Sequence, residues 1–159
     1  MSITLLMSCD VLDVHHDQDN AWLYLDWKGP QGLALVQATC PHVLAFIEQT
    51  GANKILNDNT HITHTNWELA KWVAYHYLPW AGASGLDYVA WVQSPLPSCR
   101  GYIYLMDEFV NQKPQVVIFD DLAGAYAWLS SANTTVAALS LKARTAAQQA
   151  SAAESRNWR

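Results

Sequence analysis

The sequence has little charge and no long hydrophobic run, and both absences limit what the protein can be. Charged residues make up 14% of its 159 residues, whereas about a quarter is usual in a soluble domain. Every apolar stretch stops well short of the roughly 18 residues that a membrane span needs, so none is expected. The net charge of −5 argues against nucleic acid as the main partner. Because 51% of the residues are hydrophobic, we predict a sizeable core beneath a neutral, polar surface.

Cysteine is also scarce. Cys9, Cys40 and Cys99 form an odd and widely spaced set, which fits neither a disulfide framework nor a zinc-site pattern. Residues 1–10 contain no basic segment and no long apolar stretch, so no secretion signal is expected there. Free thiols without an export signal predict a cytoplasmic protein whose cysteines are small buried hydrophobes.

Motifs for catalysis and cofactor binding are missing as well. The sequence contains no Gly-x-Ser-x-Gly, no cysteine beside a recognisable base, no dinucleotide fingerprint and no phosphate loop. His61 and His64 lie three residues apart, and Asp58 or Glu68 could complete a metal site. A metal-dependent hydrolase at these residues is the least favoured hypothesis, because such spacing alone has a high false-positive rate. We therefore predict no enzymatic activity, no cofactor and no metal.

Chain-breaking residues disappear toward the C-terminus. The last glycine is Gly124 and the last proline is Pro114, and residues 134–153 are rich in Ala, Gln, Ser, Leu and Lys. Residues 132–159 hold four basic residues and one acidic residue, although the whole chain is acidic. This change in composition predicts a single domain over residues 1–131 and an Ala-rich, helix-prone tail over residues 132–159.

The N-terminal part has the pattern of a β-hairpin. Residues 9–16 and 21–27 alternate between apolar and polar side chains. The four polar residues 17–20 between them are strong turn formers.

The rest of the domain alternates between strand and helix patterns. Short apolar strands are predicted at residues 54–57, 86–92 and 115–119. Helices are predicted to begin near Pro41, after an Asn66 cap, at Arg100 and after an Asp120 or Asp121 cap, and the first three are predicted to end at Gly51, Pro79 and Gln112. Residues 31–38 leave strand and helix open. This order predicts an α/β fold with a mixed, mostly parallel sheet, an antiparallel N-terminal edge hairpin, helices on both faces and an extra C-terminal helix or tail.

Several short segments carry a resemblance to a known family. Residues 27–29 read Trp-Lys-Gly, residues 54–60 read Lys-Ile-Leu-Asn-Asp-Asn-Thr, residues 117–123 read Val-Ile-Phe-Asp-Asp-Leu-Ala, and residues 127–129 read Ala-Trp-Leu. In this order, they resemble the STAS-domain-like, SpoIIAA-like group of bacterial proteins, whose fold is that of the anti-sigma-factor antagonists. The resemblance covers about residues 10–130 and implies a STAS-like fold.

The resemblance also implies a signalling function through protein–protein contact. In STAS-type signalling, the loop after the third strand and the following helix meet the partner, which implies Asp58, Asn59, Thr60, Thr63 and Trp67 as contact residues. Antagonists carry a phosphorylated serine directly after the aspartate, at a helix N-terminus that stabilises the added charge. Asn59 stands there in this chain and cannot be phosphorylated, and Thr60 is one position late. A turn held by the side chains of Asp58, Asn59 and Thr60 is therefore favoured over a phosphorylation site.

Aromatic residues are unusually abundant, with eight tryptophans and seven tyrosines. Trp67, Trp72, Tyr75, Tyr77 and Trp80 crowd one predicted helix and its exit, which makes that helix aromatic around much of its circumference. Tryptophan and tyrosine are favoured at interfaces and in ligand pockets. Trp72 and Tyr75 therefore join the predicted binding residues.

Two functional hypotheses remain. The favoured one is a non-enzymatic interaction module that self-associates as a homodimer, through its aromatic surface or its C-terminal helix. The alternative is a binding module for a small apolar or lipid-like ligand in an aromatic-lined pocket, where His76 or Tyr77 would orient the ligand. The predicted domain leaves little room for a lipid.

Overall fold

A single sheet organises the part of the chain that the computed structural model describes, which is residues 2–102, 105–109 and 112–132. Its six strands lie in the order in which they follow along the chain. They are β1 (Ile3–Ser8), β2 (Leu12–Asp17), β3 (Trp22–Pro30), β4 (Lys54–His64), β5 (Tyr88–Val92) and β6 (Gln115–Phe119). β1 to β3 pair antiparallel, and β3 to β6 pair parallel. The predicted α/β class is confirmed.

Helices pack on both faces of this sheet, as predicted. They are α1 (Leu33–Thr50), α2 (Trp67–Trp72), a π-helical turn (Val73–Tyr77), α3 (Leu78–Ala83) and α4 (Leu122–Ser131). Successive side chains of a strand point to opposite faces. On β3, Leu23 and Leu25 belong to the core cluster that also contains residues of α1 and α2, whereas Trp22 meets Tyr126 of α4.

The chain divides into two units, Met1–Leu129 and Ser130–Arg159. The domain boundary at residue 131 stays a prediction. The helix-prone tail predicted over residues 132–159 lies outside the described residues, apart from residue 132. No helix among the described residues has the length and hydrophobicity needed to cross a membrane.

The predicted hairpin is confirmed, but it does not form the edge of the sheet. β2 and β3 pair from Leu12 opposite Trp27 to Asp17 opposite Trp22. The Asp17 carboxylate accepts hydrogen bonds from the backbone N and Nδ2 of Asn20 at 3.0 and 2.7 Å, which stabilises the turn. β1, which was not predicted, pairs with β2 on its outer side. Its sequence lacks the apolar–polar alternation that identifies a half-buried strand.

The first helix starts earlier than predicted. α1 begins at Leu33, so residues 33–38 are helical and Pro41 lies inside the helix rather than in its first turn. Pro41 and Gln37 are both exposed, so water can reach the carbonyl group that the proline leaves without an amide donor. The predicted end is correct, because Gly51 has a φ of +69° and its N–H donates to the Ile47 carbonyl at 3.0 Å.

The strand predicted over residues 54–57 is much longer in the structure. β4 continues to His64, so Asp58, Asn59 and Thr60 lie within a strand and not in a turn before a helix. The pairing of β3 with β4 extends to Pro30 opposite His64 through two irregularities. These backbone hydrogen bonds outweigh the turn preference of the three polar residues.

The remaining helix predictions have different outcomes. Asn66 caps α2 as predicted, since its Oδ1 accepts from the Leu69 N–H at 2.9 Å, and Asp121 likewise accepts from the N–H of Gly124. Pro79 does not end its helix, because it lies in the first turn of α3, where its missing N–H is tolerated. The helix predicted over residues 100–112 is wrong for the described part of that stretch, which contains a 3₁₀ turn at Asp107–Phe109. Apolar residues three apart suit a 3₁₀ turn as well as an α-helix.

Candidate functional site

A pocket of about 90 Å³ lies beside the carboxyl ends of the parallel strands β3, β4 and β5. Open α/β sheets place their ligand sites at this edge. Aromatic side chains of Trp27, Tyr77 and Trp91 line the pocket together with apolar residues of α1 and α2. The lining also contains four buried polar side chains, those of Gln31, Asn57, Asn59 and Ser94.

A chain of hydrogen bonds joins three of the lining residues. Trp27 Nε1 donates to Asn57 Oδ1 at 2.8 Å, and Asn57 Nδ2 donates to Asn59 Oδ1 at 3.4 Å. Asn57 and Asn59 face the pocket together because they lie two residues apart on β4. The second asparagine therefore keeps its amide N–H groups as donors.

Gln31 differs from the other polar lining residues. It is 5% exposed, and its Nε2 donates to the Lys28 carbonyl at 2.9 Å. This bond identifies the other amide atom as the oxygen. That atom, Oε1, is buried and has no hydrogen-bond partner among the residues that the structure describes. A buried acceptor without a donor is rare in native proteins and calls for an explanation.

Two groups in the pocket wall, the thiol of Cys40 and the phenol of Tyr77, are held in their neutral forms. Burial raises the pKa of Cys40 to about 12 and raises the pKa of Tyr77 well above its usual value of 10.0. A thiol with so high a pKa is a poor nucleophile at neutral pH. Cys40 therefore fits the predicted role of a small buried hydrophobe, whereas Cys9 and Cys99 are only partly buried.

The opposite face of β3 and β4 carries a second polar cluster, around the buried carboxylate of Asp58. Tyr24 Oη donates to Asp58 Oδ2 at 2.7 Å, and the backbone N–H of Thr60 donates to Asp58 Oδ1 at 2.9 Å. The predicted side-chain-to-backbone bond is thus present, although within a strand. Burial and the neighbouring carboxylate raise the pKa of Tyr24, so its hydroxyl stays a donor.

The structure brings together a different set of possible metal ligands from the set that the sequence predicted. Asp26, Asp58 and His61 each offer a ligand atom within 4.8 Å of the others, and His64 is not part of this group. The sequence analysis did not identify Asp26, because Asp26 lies on β3 and only the pairing of β3 with β4 brings it next to Asp58. Both carboxylates already have hydrogen-bond partners among the protein's own residues. Asp58 bonds to Tyr24 and Thr60, and Asp26 bonds to His61.

The contact between His61 and Asp26 should make the stability of the fold depend on pH. The two atoms His61 Nδ1 and Asp26 Oδ1 lie 3.0 Å apart, and this hydrogen bond raises the pKa of His61 above its usual 6.5. We expect Asp26→Asn to lower the pKa of His61, measured by NMR titration. In the wild type, the pair stabilises the fold fully below about pH 6.5, and this contribution is lost as the pH rises through the higher folded-state pKa. It is well under about 1 kcal/mol, because the His61 side chain is 62% exposed. A His61 pKa that is the same in wild type and Asp26→Asn would contradict this assignment.

The predicted binding residues fall into four environments. Asp58 and Asn59 are buried on opposite faces of β4, Thr60 and Thr63 are exposed, and Trp67 and Tyr75 are about half exposed.

Trp72 is partly buried. It stacks on Tyr77 with ring centroids 6.2 Å apart, and it meets the edge of Trp80 at 6.0 Å. Trp67 contacts the ring of Tyr102, which lines the pocket. Of the two residues predicted to orient a ligand, Tyr77 lines the pocket and His76 is exposed.

Sequence reasoning missed several pocket residues, among them Trp27, Gln31, Asn57 and Trp91. Asn57 and Asn59 lie two residues apart, so a strand predicted through residue 59 would have placed both on one face. No local pattern points to Gln31, because its importance comes from burial.

The fold and the pocket define the class of protein, an α/β domain with a pocket at the carboxyl ends of its parallel strands. One solved structure to which this chain is similar is apo-SiaC from Pseudomonas aeruginosa, with a TM-score of 0.46 and 13% sequence identity over 74% of this chain and 98% of that chain. No protein-family model and no curated protein sequence matches the chain.

Proposed function

We propose that this chain is a non-enzymatic, STAS-like signalling module of the cytoplasm that acts by protein–protein contact, and that it self-associates as a homodimer. Its contact region is the aromatic surface, which we define by Trp67, Tyr75 and Trp80. Trp72 contacts the ring of Trp80 edge to face, and the exposed Thr60 and Thr63 precede the surface on β4. Asp58 and Asn59 support the strand from buried positions.

The observation that carries the proposal is the exposure of three large aromatic side chains on one helical segment. Trp67, Tyr75 and Trp80 are 50%, 49% and 50% exposed. Side chains of this size bury a large apolar area when a partner covers them, and their polar tips can bond across the contact. Tryptophan and tyrosine are also the residues on which binding energy concentrates.

The charges beside this surface favour a second copy as the partner. Glu68 and Lys71 are exposed and lie in the first and last turns of α2. A twofold contact places the same surface on both sides. Glu68 of one protomer can then pair with Lys71 of its partner, so the contact neutralises its own charges.

We expect the wild-type chain to have twice the mass of one chain in native mass spectrometry and in size-exclusion chromatography with light scattering. Trp67→Ala and Trp80→Ala should each weaken the dimer about 30-fold or more, since truncating an interface tryptophan costs about 2 kcal/mol or more. Both variants should keep the circular dichroism of the wild type, because the substituted side chains are half exposed.

Leu122→Ala is the matched control. Leu122 is 43% exposed and lies on α4, on the other face of the sheet. Its removal should leave the dimer unchanged. A monomeric wild type at every concentration, or a dimer that tolerates both tryptophan substitutions, would refute the proposal.

A further inference from the structure

The side chain of Asn59 offers the pocket a hydrogen-bond group that the described residues leave unused. Asn59 is 8% exposed and lines the pocket, and its Oδ1 accepts from Asn57. None of the described residues accepts a hydrogen bond from its Nδ2. The enclosed polar atoms without a partner in the described part of the chain are His15 Nδ1 and Gln31 Oε1. Nδ2 of Asn59 is not one of them, so it keeps contact with the open space of the pocket.

Trp27 determines the chemistry of this unused group. An indole nitrogen can only donate, so the atom of Asn57 that faces Trp27 Nε1 at 2.8 Å is the oxygen. Asn57 then turns its amide nitrogen toward Asn59, whose facing atom at 3.4 Å is therefore an oxygen as well. The remaining polar atom of Asn59 is a nitrogen that carries two N–H groups. A ligand that pairs with it has to supply an acceptor.

The near-complete burial of Asn59 makes this donor selective. An apolar ligand that covered Nδ2 would displace its water without replacing the hydrogen bond, which weakens binding. A ligand with an acceptor oxygen at the same place would restore the bond. The pocket should therefore distinguish ligands by the acceptor and not only by their apolar surface.

The charges of the pocket wall indicate an uncharged ligand. Among the described lining residues, Arg100 is the only one with a charged side chain, and its guanidinium pairs with the carboxylate of Asp120. A charged ligand would lose its hydration without gaining a free counter-charge. A carbonyl group supplies an acceptor without a charge.

The size and the lining of the pocket restrict the rest of the ligand. A cavity of about 90 Å³ holds several water molecules, since one needs about 10–15 Å³ of such volume. A molecule of about six non-hydrogen atoms is of that size, and a lipid chain is much larger. The rings of Trp27, Tyr77 and Trp91 and the apolar residues beside them suit a short apolar body.

We propose that this pocket binds a small uncharged carbonyl compound with a short apolar body, a ketone or an ester of about six non-hydrogen atoms. The carbonyl oxygen accepts from Nδ2 of Asn59, and the apolar body packs against the aromatic and apolar wall. The proposal uses no residue of the aromatic surface of the proposed dimer, and neither proposal depends on the other.

Two probes with the same ethyl groups test the proposal on the full chain. 3-Pentanone carries a carbonyl group between its ethyl groups, and diethyl sulfide carries a sulfur atom there, which is a weak acceptor. We expect 3-pentanone to move the side-chain amide NMR signals of Asn59 downfield and to bind about tenfold more tightly than diethyl sulfide. A pocket that selects apolar surface alone would prefer the less polar sulfide. Butyrate, a charged probe of similar size, should bind more weakly than 3-pentanone.

Two variants and a matched control locate the contact. Asn59→Leu keeps the branched shape of the side chain and removes the donor, so it should reverse the preference and bind diethyl sulfide more tightly than 3-pentanone. Ala70→Phe fills the pocket, which Ala70 lines, and should abolish binding of both probes. Ser94→Ala is the control, because the Ser94 hydroxyl lines the same pocket but already bonds to the Ile62 carbonyl and the Leu96 N–H. It should leave both affinities within about twofold of the wild type. Should a variant fail to fold, the two probes on the wild type still decide.

Four results would overturn the inference. The first is a wild type that binds diethyl sulfide at least as tightly as 3-pentanone. The second is no binding of 3-pentanone at tens of millimolar, which would mean that Asn59 faces water only. The third is a folded Asn59→Leu variant that still prefers 3-pentanone. The fourth is butyrate binding more tightly than 3-pentanone, which would contradict an uncharged ligand.

Discussion

Replacing Trp22 with alanine is expected to lower the free energy of unfolding by about 3–5 kcal/mol, the usual cost of truncating a fully buried aromatic side chain. Trp22 is 1% exposed and is the first residue of β3. Its ring meets the edge of Tyr126 on α4 with the centroids 5.0 Å apart. The substitution therefore removes both a large apolar area and one of the aromatic contacts between α4 and this face of the sheet.

Urea denaturation followed by circular dichroism measures this loss. Tyr126→Ala is an informative comparison, because it removes the same ring contact from a residue that is 46% exposed. It should cost about 1 kcal/mol, well below the effect at Trp22. A loss at Trp22 no larger than that at Tyr126 would show that burial against the sheet contributes little.

Gly82→Ala is expected to destabilise the protein by about 2 kcal/mol, even though alanine favours a helix by about 1 kcal/mol over glycine. Gly82 is buried in α3. A Cβ atom there would overlap the carbonyl oxygen of Lys113, and it would lie 2.9 Å from the carbonyl carbon of Lys113 and 3.2 Å from Cδ of Pro114. Two of these atoms are backbone, so the helix and the segment before β6 must move apart.

Gly101→Ala is the matched control, because a Cβ atom at Gly101 would meet nothing within 4 Å. That variant should unfold within about 0.5 kcal/mol of the wild type in the same denaturation experiment. A Gly82→Ala variant as stable as Gly101→Ala would mean that the close approach to Lys113 relaxes at no cost.

The sequence patterns predicted the elements whose signals are local. The β2–β3 hairpin, the Gly51 end of α1 and the Asn66 cap each depend on a few neighbouring residues. The patterns failed where distant pairing decides. β4 runs through Asp58, Asn59 and Thr60 because β3 lies beside it, and no window of β4 alone contains that information. The position of Pro41 was also predicted wrongly, because its tolerance inside α1 depends on the exposure of Gln37 and Pro41 to water, which the local sequence does not show.

The site was less accessible to prediction than the fold. Trp67, Trp72 and Tyr75 stood out by composition, because aromatic residues crowd one short segment. The pocket is formed instead by residues of β3, β4, β5, α1 and α2, which the sheet register brings together. Gln31 in particular is an ordinary glutamine in the sequence. Only two features distinguish it from other glutamines: its burial, and a side-chain oxygen that has no hydrogen-bond partner among the described residues.

The π-helical turn at Val73–Tyr77 makes this segment tolerant of one particular change in length. A π-helical turn contains about one residue more than an α-helical turn. Deleting one of its residues would leave an α-helical turn that spans the same angle, so α2 and α3 would keep their orientation. Leu69 and Ala70 would stay in the pocket wall, and Leu78 and Ala81 would stay in the core. Deleting a residue within α2 would instead rotate the residues before it by about 100°, so a deletion between residues 73 and 77 should be tolerated better than one in α2.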